Sequence, residues 1–95
     1  MAKLKQELRD QIKTIIDGML KQYDIETVDI AVADDWSGDE SIFIDLRYQL
    51  SPDAFDPADM GKVRSAVRSM LEENEDLRFP YIRHHLPDGQ KVKGA

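Results

Sequence analysis

The chain has no cysteine, only 5 glycines and 4 prolines, and no long run of apolar residues. The absence of cysteine excludes disulfides, thiolate metal ligands and a cysteine nucleophile. No apolar segment approaches the roughly 20 residues that a membrane-spanning helix needs. The N-terminus enters a charged, periodic pattern directly, without the features of a secretory signal. We therefore expect a soluble cytoplasmic protein that has no cofactor and no contact with a membrane.

The charge of the chain is distributed unevenly. The 95 residues are 41% hydrophobic and 34% charged, with a net charge of −6. Residues 1–23 sum to +2, residues 24–76 to −11 and residues 77–95 to +3. An acidic middle repels phosphate backbones, so a nucleic-acid contact would have to use the termini. This length and composition predict a single globular domain over residues 1–95, frayed at residues 88–95.

The first part of the chain has the apolar spacing of a helix. Apolar residues recur at intervals of three and four and form one stripe, and the residues between them are mostly charged or polar. This stripe predicts one helix of about five to six turns. Its members are Leu4, Leu8, Ile12, Ile15, Ile16, Met19, Leu20 and Tyr23.

From Thr27 the apolar spacing changes to two, which predicts a β-hairpin around the segment Asp34–Glu40. The apolar residues of both strands have even numbers, so facing residues must sum to an even number. One register sets Val32 opposite Ile42, with Gly38 at positive φ in a three-residue loop. The other sets residue 32 opposite residue 44. The sequence leaves both registers open.

A second helix is predicted from Asp56, as N-cap, to about Asn74, with Pro57 at its first position and a Phe55–Met60 hydrophobic staple. Its acidic end, residues 72–76, opposes the helix dipole and predicts a frayed last turn. A third strand is predicted over residues 77–83. Its Pro80 favours a sheet edge because proline cannot donate to a ladder. Residues 90–93 either form a short fourth strand or stay frayed.

The element order α-β-β-α-β predicts an α+β two-layer sandwich. The helix between the second and third strands is long enough to return the chain, so these strands should be parallel. Together with the antiparallel hairpin, this gives a three-stranded mixed sheet. Each helix has one apolar stripe and the sheet has one apolar face. Both helices should therefore pack on the same face of the sheet.

Three features suggest chemistry, and each has a structural interpretation that we favour. The four carboxylates of residues 34–40 could bind a cation, but their spacing does not fit a calcium loop and does fit a turn. Trp36 is either a binding anchor or a cap folded over the end of the core, and we favour the cap. His84 and His85 should point to opposite faces of a strand. The sequence predicts no metal site and no catalytic residues, and thus no enzyme.

The function predicted from these features is a non-catalytic protein-interaction module. An exposed sheet edge pairs readily with a strand of another protein, or with a second copy in a homodimer. The residues expected to bind the partner are Phe79, Tyr81 and Ile82, followed by Trp36.

The alternative is an RNA- or ribosome-associated domain. The element order resembles a minimal version of the KH-type RNA-binding layout, although the Gly-x-x-Gly clamp of that family is absent and Gly61 stands alone. If the first helix and the third strand adjoin, basic residues from both ends of the chain form one positive patch. Its members would be Lys3, Lys5, Arg78, Arg83, Lys91 and Lys93.

Overall fold

The computed structural model describes residues 4–49 and 56–86, which form one layer of helices on one face of a sheet. The helices are α1 (Gln6–Met19) and α2 (Pro57–Glu73), and the strands are β1 (Ile25–Asp34), β2 (Glu40–Tyr48) and β3 (Pro80–His85). Strand β2 is central, antiparallel to β1 and parallel to β3. These features confirm the predicted α+β class, element order, mixed sheet and edge position of Pro80. The proposed fourth strand and the staple residue Phe55 lie outside the described residues.

The core lies between the two helices and the even-numbered face of the sheet, as the alternating pattern predicts. Strand β2 is buried most completely, because helices cover it and strands flank it on both sides. The partly buried apolar residues of β1 pack against the core from the edge. Burial of each large apolar side chain is worth about 1.5–3 kcal/mol. The most deeply buried residues are Ile12, Ile16, Leu20, Ile42, Ile44, Leu46, Val63, Val67 and Leu71.

Helix α1 is shorter than the apolar stripe suggests, so the predicted length is wrong. It ends at Met19, and a short 3₁₀ turn over Lys21–Tyr23 follows. Asp24 then adopts positive φ (51°) and turns the chain into β1. Leu20 and Tyr23 are buried nevertheless. A spacing of three suits a 3₁₀ turn as well as an α-helix, so the stripe could not reveal where the helix ends.

The start of α2 confirms the predicted cap. The Asp56 carboxylate accepts a hydrogen bond from the Ala58 N–H (2.9 Å), and Pro57 occupies the first helical turn. The cap satisfies one of the helix's unpaired N–H groups. Tyr23 also contacts this end of the helix, because its hydroxyl donates to the Asp59 carboxylate at 2.9 Å. The contact joins the 3₁₀ turn to α2.

The end of α2 is closed by backbone hydrogen bonds, so the predicted fraying is wrong. Glu75 adopts positive φ (60°), its N–H donates to the Glu72 carbonyl, and the Asp76 N–H donates to the Leu71 carbonyl. These two bonds form a Schellman motif, which usually has glycine at the position of Glu75. The Asp76 carboxylate does not stay free at the helix end, because it accepts hydrogen bonds from Arg78.

The hairpin adopts the first of the two registers considered. Val32 faces Ile42, and Asp34 faces Glu40. The Asp35 N–H donates to the Asp39 carbonyl (2.8 Å), which leaves a three-residue loop that ends in Gly38 at φ +84°. This is the bulged turn for which glycine is required at the third position.

This register also sets Asp29 directly opposite Asp45. Like charges at facing positions are destabilising. Each carboxylate has its own arginine: Arg47 lies 3.5 Å from Asp29, and Arg83 of β3 lies 2.8 Å from Asp45. The repulsion that would disfavour the register is therefore offset by cations from β2 and β3.

Candidate functional site

Four aromatic side chains lie together on the face of the sheet opposite the helices, at the end near the hairpin loop. The ring of Tyr81 is central, with its centroid 5.1 Å from that of Trp36, 5.2 Å from Phe43 and 4.7 Å from Phe79. Phe43 and Tyr81 stack with an interplanar angle of 17°, while the other two rings are tilted. We call these four residues the aromatic cluster, and the face on which they lie the outer face.

The cluster presents large apolar surface to solvent. Trp36 is 82% exposed and Phe79 is 38% exposed. Leu77, in the segment that leads into β3, is 84% exposed. Single exposed apolar residues are common, but a contiguous group of them is typical of an interaction site. Tryptophan and tyrosine are also enriched among the residues that dominate binding energy at interfaces.

Asp35 organises the hairpin loop beneath Trp36. One carboxylate oxygen accepts from the N–H groups of Ser37 (2.8 Å) and Asp39 (3.0 Å), and the other accepts from the Tyr81 hydroxyl (3.0 Å) and, at 3.4 Å, from Ser41. Partial desolvation favours the neutral acid, but these hydrogen bonds outweigh it and lower the pKa of Asp35. Asp35 therefore holds the loop and anchors it to β3.

Along the outer face, the cluster continues into a polar network centred on Asp45. Arg83 donates to both Asp45 oxygens at 2.8 Å, and His85 Nε2 lies 2.7 Å from one of them. The hydrogen bonds from Arg83 are the main cause that lowers the pKa of Asp45. The guanidinium of Arg83 also lies over the Phe43 ring, 4.7 Å from its centroid. Arg83 thus contacts both the aromatic cluster, through Phe43, and the polar network, through Asp45.

A shallow groove separates the hairpin loop from the segment leading into β3. Acidic side chains of the hairpin line one side, and apolar or aromatic side chains line the other. Arg78 is held at the groove by Asp76 and lies 3.6 Å from Glu40. Arg68 of α2 reaches over the Phe79 ring, 5.5 Å from its centroid. The lining residues are Asp35, Asp39, Glu40, Ser41, Leu77, Arg78, Phe79 and Tyr81.

The structure brings three of the four predicted partner-binding residues together. Trp36, Phe79 and Tyr81 belong to the cluster, whereas the Ile82 side chain points to the opposite face and packs against the core. The prediction that Trp36 caps the core is wrong, because its ring lies over Tyr81 on the outer face. The sequence prediction does not include Phe43 among the site residues. The signal for Phe43 was an aromatic residue at an odd-numbered position, where the strand pattern expects a polar one.

The structure gives little support to a positive patch. Arg78 and Arg83 are paired with aspartates. Lys5, at the start of α1, shares a cleft with Arg78, but four acidic residues line the same cleft: Glu7, Glu40, Glu75 and Asp76. Lys3, Lys91 and Lys93 lie outside the described residues. Helix α1 contacts β1 and α2, whereas α2 packs against β3.

The two adjacent histidines point to opposite faces, as predicted. His84 lies on the core side, with Nδ1 2.7 Å from the Tyr48 hydroxyl, and His85 lies beside Asp45 on the outer face. Burial lowers the pKa of His84, and the charge of His85 acts in the same direction. Across residues 4–49 and 56–86, no group of three or more His, Asp or Glu side chains is placed to hold a metal ion.

The comparisons with known proteins give no relative from which a role could be transferred. No family model, curated protein or solved structure matches the chain. Neither of the two helices in the described part of the chain is long and apolar enough to cross a membrane. Any functional conclusion must therefore come from the geometry of the outer face.

Proposed function

We propose that this chain is a non-catalytic protein-binding module whose recognition surface is the aromatic cluster with its adjoining groove. The observation that carries the proposal is the position of Trp36, 82% exposed and supported from below by Tyr81. Burying an indole is strongly favourable, so an indole ring that stays exposed in the free protein can stabilise a complex when a partner covers it. The Tyr81 ring reduces the freedom of Trp36 before binding and so lowers the entropic cost of association.

The sheet edge adds to this surface. The Phe79 carbonyl accepts from the Ile42 N–H, so Phe79, Tyr81 and Arg83 direct their backbone groups toward β2. Alternation then directs the N–H and carbonyl groups of Ile82 outward. A partner strand along β3 could pair with these groups while its side chains reach the cluster. The proposal includes self-association by this route and assigns the module to the cytoplasm, where proteins without disulfides are common.

A photo-crosslinking experiment in cells that make the protein tests the proposal. A benzoylphenylalanine residue replaces Trp36 in one variant and Lys13, an exposed residue of α1, in a matched control. We expect a discrete crosslinked protein from position 36 that is absent from position 13. In a parallel co-purification, Trp36→Ala should lose that partner, while Lys13→Ala should retain it. Equal crosslinking from both positions, or equal retention by both alanine variants, would rule the outer face out as the recognition surface.

A second candidate is a platform for single-stranded RNA. Stacked aromatic rings on an open sheet face are a common way to hold unpaired bases, and Phe43 and Tyr81 have that arrangement. The chain's net charge of −6 and the paired state of Arg78 and Arg83 disfavour it. Titration with oligouridine distinguishes the candidates. Saturable binding that weakens steeply with salt, and that Phe43→Ala and Tyr81→Ala abolish, would favour RNA over a protein partner.

A further inference from the structure

Two rings of the aromatic cluster already carry a guanidinium group from the same chain. Arg83 lies over Phe43 at 4.7 Å, and Arg68 lies over Phe79 at 5.5 Å from the ring centroid. Both distances are within the range in which a cation is attracted to the negative face of an aromatic ring. Trp36 belongs to the same cluster, is the most exposed of the four, and has no cation over its ring among the described residues. Indole is the strongest of the aromatic side chains in this interaction.

The charges around Trp36 favour a cation from outside the chain. The segment 34–40 contains four acidic residues and no basic one. The Asp35 carboxylate already accepts hydrogen bonds from the turn and from the Tyr81 hydroxyl, and the Glu40 carboxylate lies 3.6 Å from Arg78. Asp39 is exposed, has no ion pair with any residue that the structure describes, and lines the groove beside Tyr81. The loop therefore combines an unoccupied ring face with one uncompensated carboxylate, that of Asp39.

We propose that the hairpin loop binds an arginine side chain of a basic, extended segment of a partner protein. The guanidinium stacks on Trp36 and forms an ion pair with Asp39. Arginine suits the site better than lysine because its planar, weakly hydrated group stacks on rings and pairs with carboxylates at once. A second copy of this chain is disfavoured as the occupant, since it brings the same acidic loop and a net charge of −6. This inference rests on the proposed function and specifies its partner.

Titration with defined peptides, followed by amide and indole N–H NMR signals of the full chain, tests the inference. Three capped peptides of equal length alternate glycine with arginine, with lysine, or with citrulline, which has the shape of arginine without its charge. We expect the arginine peptide to shift the signals of residues 34–40 and the Trp36 indole. Cation–ring stacking at exposed sites corresponds to an advantage of about two- to five-fold. A lysine ammonium is also attracted to the ring, but it is more strongly hydrated and cannot stack, so the lysine peptide should bind more weakly than the arginine peptide. The citrulline peptide, which has no charge, should cause no shift.

Three variants distinguish stacking of the arginine side chain on Trp36 from a general attraction of basic peptides to an acidic protein. Trp36→Leu retains apolar surface but removes the ring, so it should weaken the arginine peptide about two- to five-fold and remove the preference over lysine. Asp39→Asn removes one carboxylate of the loop and should weaken both basic peptides. Glu26→Gln removes one exposed charge from the far end of β1 and should change neither affinity. Circular dichroism of each variant checks that it remains folded.

Several results would overturn the inference. Equal binding of the arginine and lysine peptides, unaffected by Trp36→Leu, would mean that only the net negative charge attracts them. The absence of binding by either basic peptide would also reject it. The crosslinking experiment at position 36 decides the proposed function separately. A captured partner segment without arginine, or a second copy of this chain, would retain the binding module and reject the arginine site.

Discussion

Replacing Gly38 with alanine tests the turn that places Trp36 over Tyr81. Gly38 has φ +84°, and a Cβ atom built on it meets no atom within 4 Å. The cost of the substitution is therefore backbone strain rather than a clash. Positive φ costs a residue with a side chain about 1–2 kcal/mol. Loss of glycine's freedom in the unfolded chain offsets about 0.4–1 kcal/mol of this. We expect Gly38→Ala to lower the free energy of unfolding by about 1 kcal/mol.

Gly61 provides the matched control for this substitution. It lies inside α2, and a Cβ atom there also meets nothing within 4 Å. Helical backbone suits alanine, so Gly61→Ala should raise the free energy of unfolding by about 0.5–1 kcal/mol. The same chemical change is thus expected to have opposite signs at the two positions. Because the added Cβ atom meets no neighbour at either position, the backbone conformation decides the sign.

Urea unfolding followed by circular dichroism measures both changes, and thermal unfolding provides a second readout. For a domain of this size, 1 kcal/mol shifts the midpoint temperature by about 4–8 °C. The Trp36 indole N–H signal should also move in Gly38→Ala, because the loop no longer holds the ring in the same position. A neutral or stabilising Gly38→Ala would refute the bulged turn and the placement of Trp36 that depends on it.

Three further predictions concern the rest of the fold. Glu75→Gly should raise the free energy of unfolding by about 0.5–1 kcal/mol, because glycine adopts positive φ without strain. Glu75→Gln retains the Cβ atom and should change the free energy of unfolding by no more than about 0.5 kcal/mol. Equal urea midpoints for the two variants would contradict the Schellman motif. Ile44→Ala should cost about 2–5 kcal/mol in the same assay because the side chain is fully buried, and a loss below 1 kcal/mol would mean that the buried face is misassigned. Burial lowers the pKa of His84, so as the pH falls the histidine is protonated at a higher pH in the unfolded chain than in the folded chain. The free energy of unfolding should therefore decline as the pH falls below about 6.5. His84→Gln should reduce that decline. An identical pH dependence in both proteins would contradict this assignment.

The layers and strand faces could be predicted because they follow from periodicity alone. A repeat of two places Ile42, Ile44 and Leu46 on one face whatever the neighbouring strands do, and helical spacing places Ile12 and Ile16 on one stripe. The hairpin register was not decided in this way. It depends on the balance between the facing pair Asp29–Asp45 and the arginines that compensate it. One of those arginines comes from a strand that is distant in sequence.

Helix ends were harder to predict because they depend on single residues in unusual backbone conformations. Asp24, which ends the 3₁₀ turn after α1, and Glu75, which ends α2, both adopt positive φ without being glycine. Sequence signals for chain reversal rely on glycine and asparagine, so neither residue marks the end of its helix. At both positions, hydrogen bonds from residues further along the chain supply the compensation: the Gln49 N–H donates to Asp24, and Asp76 closes the end of α2.

The candidate site was predicted only in part, because its residues meet through tertiary packing. Trp36 and Tyr81 were singled out for different reasons, one as a loop residue and the other as part of an edge strand. Their contact depends on the parallel pairing of β3 with β2, which sets Phe43 beside Tyr81. The sequence could not show whether Trp36 would lie over the core or over the outer face. That choice depends on the direction in which the turn carries the ring.

The residues that stabilise the hairpin turn are different from Trp36, the residue that the turn exposes to solvent. Asp35 and Gly38 form the turn, and the Tyr81 hydroxyl ties it to β3 through Asp35. Trp36 forms none of these bonds and belongs to neither layer of the core. Its contribution to stability should be limited to its contact with Tyr81, and contacts of this kind are worth about 0.5–1.5 kcal/mol. Binding can therefore change by substitution at Trp36 while the fold persists, whereas changes at Asp35 or Gly38 should affect both.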